Sequence, residues 1–231
     1  MCGRIRQAKS LDEYQETLRW NPRTALDVPD GLKYNVPPGT RPIALHRLGD
    51  GDEQADRLFW GYKPPWYKRG PASNARLDTI LKQSPFWRPL LTRRIIVPAD
   101  GWYEWTGPKG DKQPWFISAR DEAPILMAGI TAWQPGREVL AETGFAIVTD
   151  DSAGGMVDIH DRRPLCLTVD DALAWLDPAL PVDQALELLS TPRPESAFRW
   201  WQVTRRMGNS RYQLPDAAEP IRGCAALGHN G

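Results

Sequence analysis

Cysteine is scarce in this chain: Cys2, Cys166 and Cys224 are the only three among 231 residues, an odd number with no close-spaced pair. That excludes a disulfide framework or a cysteine-built zinc centre and points to a reducing, cytoplasmic setting, nucleoid-associated if the source is bacterial. No three His, Cys or carboxylate side chains fall at metal-ligand spacing, so no metal is expected. There is no Rossmann glycine fingerprint and no phosphate-binding P-loop, and no cofactor is expected. Long apolar runs are missing too. The stretch from Pro124 to Ala132 is far too short to span a bilayer, and Arg4, Arg6 and Lys9 are not followed by the apolar segment of a secretory leader, so neither membrane insertion nor secretion is expected. Net charge is also absent, at a formal value of zero, which argues against a protein that holds DNA by bulk electrostatics.

What is present is ordinary globular material, 41% hydrophobic and 25% charged, enough for one core and a single domain. Charge is unevenly spread. Between Gly61 and Asp100 eight basic residues face two acidic ones, whereas between Asp150 and Glu195 ten acids face Arg162, Arg163 and Arg193. Eleven tryptophans are many for this length. Five of them, Trp60, Trp66, Trp87, Trp102 and Trp105, lie in or beside the basic segment, where rings between cations suit the stacked bases of a single strand. Burial in the core accounts for most of them.

Periodicity places a helix from Leu11 to Trp20, capped by Ser10 with Glu13 completing the capping box. Short strands follow at Pro42 to Leu48, Arg57 to Trp60, Arg94 to Val97, Trp102 to Trp105, Pro114 to Ala119, Ile125 to Ala132, Phe145 to Thr149, Pro164 to Leu167 and Phe198 to Val203. Pro98-Ala99-Asp100-Gly101 reads as a tight reversal, and Pro108 to Lys112 as a second. Helices return from Val169 to Leu176, capped by Thr168, and from Val182 to Leu189. Strands that do not alternate with helices disfavour a doubly wound sheet. They favour an α+β fold around a mixed, mainly antiparallel, partly barrel-like sheet flanked by helices. The domain is expected over residues 1–211, with 212–231 as a loose tail containing Gly223, Gly228 and Gly231.

Four constellations carry chemistry. Met1-Cys2-Gly3 exposes an amino-terminal cysteine once Met1 is removed. Such a residue offers an amine and a thiol on adjacent carbons. An aldehyde can form a Schiff base with the amine and then be attacked by the thiol, closing a thiazolidine. With an α-amine pKa of about 7.7–8.0, about a tenth of the amine is neutral at pH 7, and the intramolecular second step favours a long-lived product. A small, merely buried cysteine is the bland alternative. Ser73-Asn74-Ala75-Arg76 supplies an amide and a planar guanidinium fork suited to phosphate, or else a helix cap and a surface arginine. In Trp102-Tyr103-Glu104-Trp105 a strand would place Trp102 and Glu104 on one face, leaving the carboxylate among apolar rings with a raised pKa, unless Glu104 faces water. Ile159-His160-Asp161-Arg162-Arg163-Pro164 offers an imidazole for acid–base work, oriented by Asp161 or Glu104, or a structural histidine.

Taken in order, Met1-Cys2-Gly3-Arg4, Tyr34-Asn35-Val36 with Pro38-Gly39, Phe59-Trp60-Gly61, Asn74-Ala75-Arg76, Pro98 through Trp105, Lys112-Gln113-Pro114 and Ile159-His160-Asp161-Arg162 resemble the SRAP (SOS response-associated peptidase) family, from Met1 to about Asn209. The resemblance implies a single SRAP domain with a DNA groove across one face. It implies a covalent thiazolidine crosslink between Cys2 and abasic sites in single-stranded DNA, shielding the lesion in the DNA damage response. It assigns Asn74 and Glu104 to the crosslink pocket, the carboxylate holding the Cys2 amine, and His160 to acid–base steps in sugar ring opening and crosslink reversal. Arg4, Trp66, Arg76, Trp105 and Thr149 fall at positions that meet the DNA backbone or stack on bases, and Asn35, Pro38 and Arg162 within the matching motifs are taken with them. The family's peptidase name implies removal of the amino-terminal segment. Pro37 and Asp78 depart from the family's usual Ala and Glu. The expected partner is single-stranded DNA with abasic sites, including replication-fork junctions, met by a monomer without a membrane. Three rivals remain: an amidotransferase using the Cys2 thiol on glutamine, a cysteine protease using Cys2 with His160 and Glu104, and a noncovalent single-strand binder that leaves Cys2 idle.

Overall fold

Alternation of apolar side chains decides which layer each strand joins. The computed structural model describes residues 2–21 and 33–221. In chain order the elements are β1 (Ile5–Arg6), α1 (Leu11–Thr17), β2 (Ile43–His46), β3 (Gln54–Arg57), β4 (Asn74–Arg76), α2 (Leu77–Leu81), β5 (Arg94–Ala99), β6 (Gly101–Thr106), β7 (Gln113–Ala119), β8 (Ile125–Thr131), β9 (Phe145–Asp151), β10 (Arg162–Pro164), β11 (Cys166–Leu167), α3 (Val169–Leu176), α4 (Val182–Glu187) and β12 (Phe198–Gln202). A four-stranded sheet runs β1-β6-β7-β12, and a larger one runs β10-β9-β8-β5-β2-β3, with β11 pairing β8 and β4 pairing β9. Among the described residues every strand pair is antiparallel except β4 with β9. The fold is α+β, mostly sheet with a few helices, and the sheet does not close into a barrel.

The period of two along β9 shows the layering. Phe145 and Ile147 enter the core shared with the smaller sheet, beside Ile5, Trp102, Ile117 and Phe198. Ala146 and Val148 face the other way, into a core with Tyr14, Leu77, Ile80 and Trp175 from the helices. The same split divides β6, with Trp102 in the inter-sheet core and Tyr103 and Trp105 in a third cluster on the far side of the smaller sheet. By alternation Glu104 then joins Trp102 on the inner face.

Local signals set the helix boundaries. Ser10 and Glu13 form the expected capping box of α1, and Thr168 caps α3 over the expected span. Helix α1 ends earlier than Trp20 because Arg19 adopts a left-handed φ of 57°. Likewise α4 stops at Glu187 and passes into a 3₁₀ turn. The expected strand at Arg57 to Trp60 is shifted back to Gln54–Arg57, leaving Trp60 in one parallel bridge with Phe145.

The expected reversal at Pro98 to Gly101 is corrected. Strand β5 pairs with β2 and β8, whereas β6 pairs with β1 and β7, so the chain crosses here from one sheet to the other. Asp100 fixes the corner by accepting bonds from Arg6 Nη1 at 2.9 Å, Ala8 N at 2.9 Å and the Tyr14 hydroxyl at 2.6 Å. Gly101 is required there because a Cβ would sit 2.3 Å from the Ile117 carbonyl oxygen. The second reversal, Pro108 to Lys112, does join β6 to β7 as a hairpin.

Residues 212–221, placed in the tail on sequence grounds, pack on the body. Ala217 is buried, the Gln213 side-chain oxygen accepts the backbone N–H groups of Lys33, Tyr34 and Asn35, and Ile221 N bonds to Gln202 O. Residues 222–231, with Cys224 and the tail glycines, lie outside the described residues, as does Met1. Among the described residues no helix is long and apolar enough to cross a membrane.

Candidate functional site at the amino-terminal cysteine

Strand register delivers Cys2 to its neighbours. Ile5 pairs with Trp102, and the Tyr103 N–H donates to Arg4 O at 3.0 Å. Continuing this antiparallel register back toward the amino terminus sets Gly3 level with Glu104 and brings Cys2 to the end of the inter-sheet core, where its side chain is fully buried. From the larger sheet, Asn74 on β4 donates through Nδ2 to the Cys2 carbonyl at 2.9 Å. Asn74 to Arg76 is strand leading into α2, whose N-cap is Arg76, so Asn74 is not that helix's cap.

The loop before β10 brings in the imidazole. His160 Nε2 lies 3.9 Å from Glu104 Oε2. Its Nδ1 meets the Arg162 N–H at 3.0 Å and the Asp161 carboxylate at 2.7 Å. A neutral ring accepts from Arg162 at Nδ1 and keeps its proton on Nε2, toward Glu104; a protonated ring donates from Nδ1 to Asp161 instead. Each charge state has a partner, the property needed of a group that exchanges a proton during a reaction.

Burial tunes these groups. Glu104 is 3% exposed, and desolvation pushes its carboxyl up from 4.5 to about 7, opposed in part by the positive charge at the chain's amino terminus. The same burial, with the Glu104 charge added, holds the Cys2 thiol well above its ordinary value, so its sulfur is protonated at rest. His160 is lowered, chiefly by desolvation. Sulfur attack therefore needs a nearby base, and a carboxyl titrating near neutrality supplies one.

Among the described residues, the polar atoms without a partner include Asn74 Oδ1 and the hydroxyl of fully buried Thr149. Thr149 lies opposite Arg76 in the β4–β9 register and opposite Pro164 in the β9–β10 register. Buried polar atoms without partners cost about 1–3 kcal/mol each, so they mark where a ligand's hydroxyls or phosphate oxygens would be welcome.

The remaining expected DNA positions differ in exposure and in partners. The Arg4 guanidinium lies 5.9 Å over the half-buried Trp105 ring. Trp66 is 62% exposed, edge-on to Phe86 and Tyr67, whereas Trp60, Trp87 and Trp102 are buried. Arg76 is exposed and held in a two-point pairing by Asp78 at 2.9 and 2.8 Å. Arg162 is half-buried with Nε 3.7 Å from Asp151, and Pro38 sits half-buried in the turn before Gly39. Asn35 is different, because it has no exposure and every side-chain atom is used. Its Oδ1 accepts from Arg4 at 2.8 Å, and its Nδ2 donates to the Met207 and Asn209 carbonyls at 2.8 and 3.0 Å. Asn35 therefore aims Arg4 and does not itself face solvent. The Asp78 clamp and this Asn35 support went unseen in the sequence; only the short Arg76 to Asp78 spacing hinted at the former.

Fold and side chains together define an α+β protein whose second residue, a cysteine, lies among an amide, a carboxylate and an imidazole at the end of an inter-sheet core. The profile of the family described as SOS response associated peptidase (SRAP) matches residues 1–210. The chain is 36% identical over 227 residues to the abasic site processing protein YedK of Escherichia coli (strain K12), covering 96% of this chain and 100% of that one. It is 31% identical over 220 residues to the abasic site processing protein HMCES of Gallus gallus, covering 80% of this chain and 65% of that one. Among solved structures, a phage-related protein of Bordetella bronchiseptica aligns with a TM-score of 0.80 at 47% identity, over 93% of this chain and 100% of that one. This chain belongs to the SRAP family.

Proposed function

We propose that this chain processes abasic sites in single-stranded DNA by forming a covalent crosslink through Cys2. Its family relatives YedK and HMCES are named abasic site processing proteins. The observation that carries the chemistry is the placement of Cys2 beside a carboxyl titrating at about 7, with an imidazole 3.9 Å from that carboxyl.

Once Met1 is removed, the Cys2 α-amine attacks the C1′ aldehyde of the ring-opened sugar and water leaves, giving an imine. The thiol then adds to the imine carbon, its proton passing to the nitrogen by way of the site, and the thiazolidine closes. Glu104 orients the amine and takes up a proton. His160 serves the proton transfers of sugar opening and of reversal, and Asn74 fixes the Cys2 backbone and offers its free oxygen to the sugar. Arg4, Arg76, Arg162 and Thr149 receive the strand's backbone, and Trp66, Trp105 and Pro38 receive its bases. Asn35 acts through Arg4. Removal of Met1 is the peptidase-type step that precedes this chemistry. The monomer, working in the cytoplasm, meets single strands at and near replication-fork junctions.

The test is direct. Protein mixed with a single-stranded oligonucleotide bearing one abasic site gives a band that survives denaturing electrophoresis, and Cys2→Ala removes it while retaining affinity for the intact strand. Binding without such a band would leave a noncovalent single-strand binder, and ammonia release from glutamine would indicate an amidotransferase.

A further inference from the structure

Glu104 and His160 belong to different sheets, so something must hold their separation. Glu104 is on β6, within the sheet that continues through β7 to β12, whereas His160 sits in the loop between β9 and β10 at the edge of the larger sheet. That loop is closed at its base by Ser152 N to Asp161 O at 2.8 Å, and His160 N bonds to Met156 O at 3.1 Å within it. Apart from buried Met156 and half-buried Gly155, residues 153–158 face solvent.

Glu195 reaches into this loop from the 3₁₀ turn that runs straight into β12. Its carboxylate accepts the backbone N–H of Ala153 through Oε1 and that of Met156 through Oε2, the latter at 3.3 Å. The Arg163 guanidinium, on the far side of His160 in sequence, comes within 3.8 Å of the same carboxylate, the Arg163 and Glu195 side chains being 10% and 12% exposed. Arg163 also donates to Arg193 O at 2.8 Å, on the strand-leading segment of Glu195 itself. One carboxylate thus grips the loop before and after His160 and joins it to the sheet that carries Glu104.

We propose that Glu195 is a positioning residue for His160. It makes no contact with the reacting atoms; it sets the imidazole's distance from Glu104 and Cys2 across the boundary between the sheets. This rests on the reading of His160 as the acid–base group of the crosslinking site. A carboxylate suits the task because it accepts two N–H groups at once and neutralises Arg163, whereas an amide offers one acceptor oxygen and an alanine none. Small displacements of a catalytic group cost large factors in rate, so release of the loop should be felt chiefly in the chemical step.

The experiment is a double-substitution cycle on the full chain, reading the crosslinking rate at saturating abasic single strand together with affinity for the intact strand. Glu195→Ala is expected to slow crosslinking about tenfold and to weaken the rate's pH dependence between pH 5 and 8, with affinity for intact DNA unchanged. Glu195→Gln, retaining one acceptor, should fall between and also serves if the alanine variant does not fold, as judged by thermal melting. In a His160→Ala background the same substitutions should change the rate by less than about twofold, since there is no imidazole left to place. Equal losses in both backgrounds, or a loss that follows DNA affinity, would overturn the proposal. A His160→Ala protein that crosslinks at the full rate would overturn it through its premise, and an unsubstituted protein that never crosslinks would point to the functional reading itself, so the three failures are told apart.

Discussion

Asp100 and Glu104 are both buried carboxylates on one short piece of chain, yet their surroundings are opposite. Asp100, at the corner where β5 leaves one sheet and β6 enters the other, receives a guanidinium, a backbone N–H and a phenol. Glu104, further along β6 at the end of the inter-sheet core, is desolvated enough that its carboxyl titrates at about 7. The first is matched to its charge and holds the fold. The second is held where its charge is disfavoured, at a cost in stability that makes sense if the proton is needed for chemistry.

That contrast breaks most plainly by substitution. Asp100→Asn removes the charge that faces the partly exposed Arg6 and should cost about 1–3 kcal/mol of stability, while the folded fraction still crosslinks at the normal rate. Glu104→Gln should do the reverse, slowing crosslinking by about 10²-fold without loss of stability. The sign follows from linkage. A carboxyl raised from 4.5 to about 7 on folding binds its proton more readily in the folded state. Its contribution therefore improves as pH falls through the window from about 7 to about 4.5, and above pH 7 it is a penalty of up to about 3 kcal/mol. Thermal or urea unfolding should show Glu104→Gln more stable than the unsubstituted chain at pH 8, the gain shrinking toward pH 5. Loss of stability at pH 8 would mean that Glu104 is a structural carboxylate like Asp100.

A smaller effect is expected at Arg76, where the fork is already occupied by Asp78. Arg76→Ala should weaken binding of intact single strands only severalfold and lower the slope of log affinity against log salt by about one, as for the loss of one phosphate contact. An unchanged slope in a salt titration would remove Arg76 from the interface.

What could be read in the sequence was local. The Ser10–Glu13 capping box, the Thr168 cap and the alternation that puts Trp102 and Glu104 on one face depend on neighbours a few residues away, and those elements stand in the fold as expected. What could not be read depended on distant chain. Nothing near Pro98 to Gly101 tells a hairpin from a change of sheet, because the choice is made by Arg6 and Tyr14 closing on Asp100. Asn74 resembles a helix cap until β9 is alongside it in parallel. Asn35 sits in a recognisable motif, yet its bonds to Arg4 and to the Met207 and Asn209 carbonyls are set by residues far away in sequence. Glu195 gave no local signal, since its partners are the backbone of a loop some forty residues earlier.

The central claim is that the nitrogen and the sulfur of Cys2 both end bonded to one sugar carbon. Peptide mass spectrometry of the protein after reaction with an abasic oligonucleotide, without borohydride and followed by thiol alkylation, tests it most directly. The account predicts an amino-terminal peptide lacking Met1, carrying the sugar remnant with loss of one water, and with its Cys2 sulfur refusing the alkylating agent. An adduct on any other residue, or one in which the Cys2 thiol is still alkylated, would contradict it.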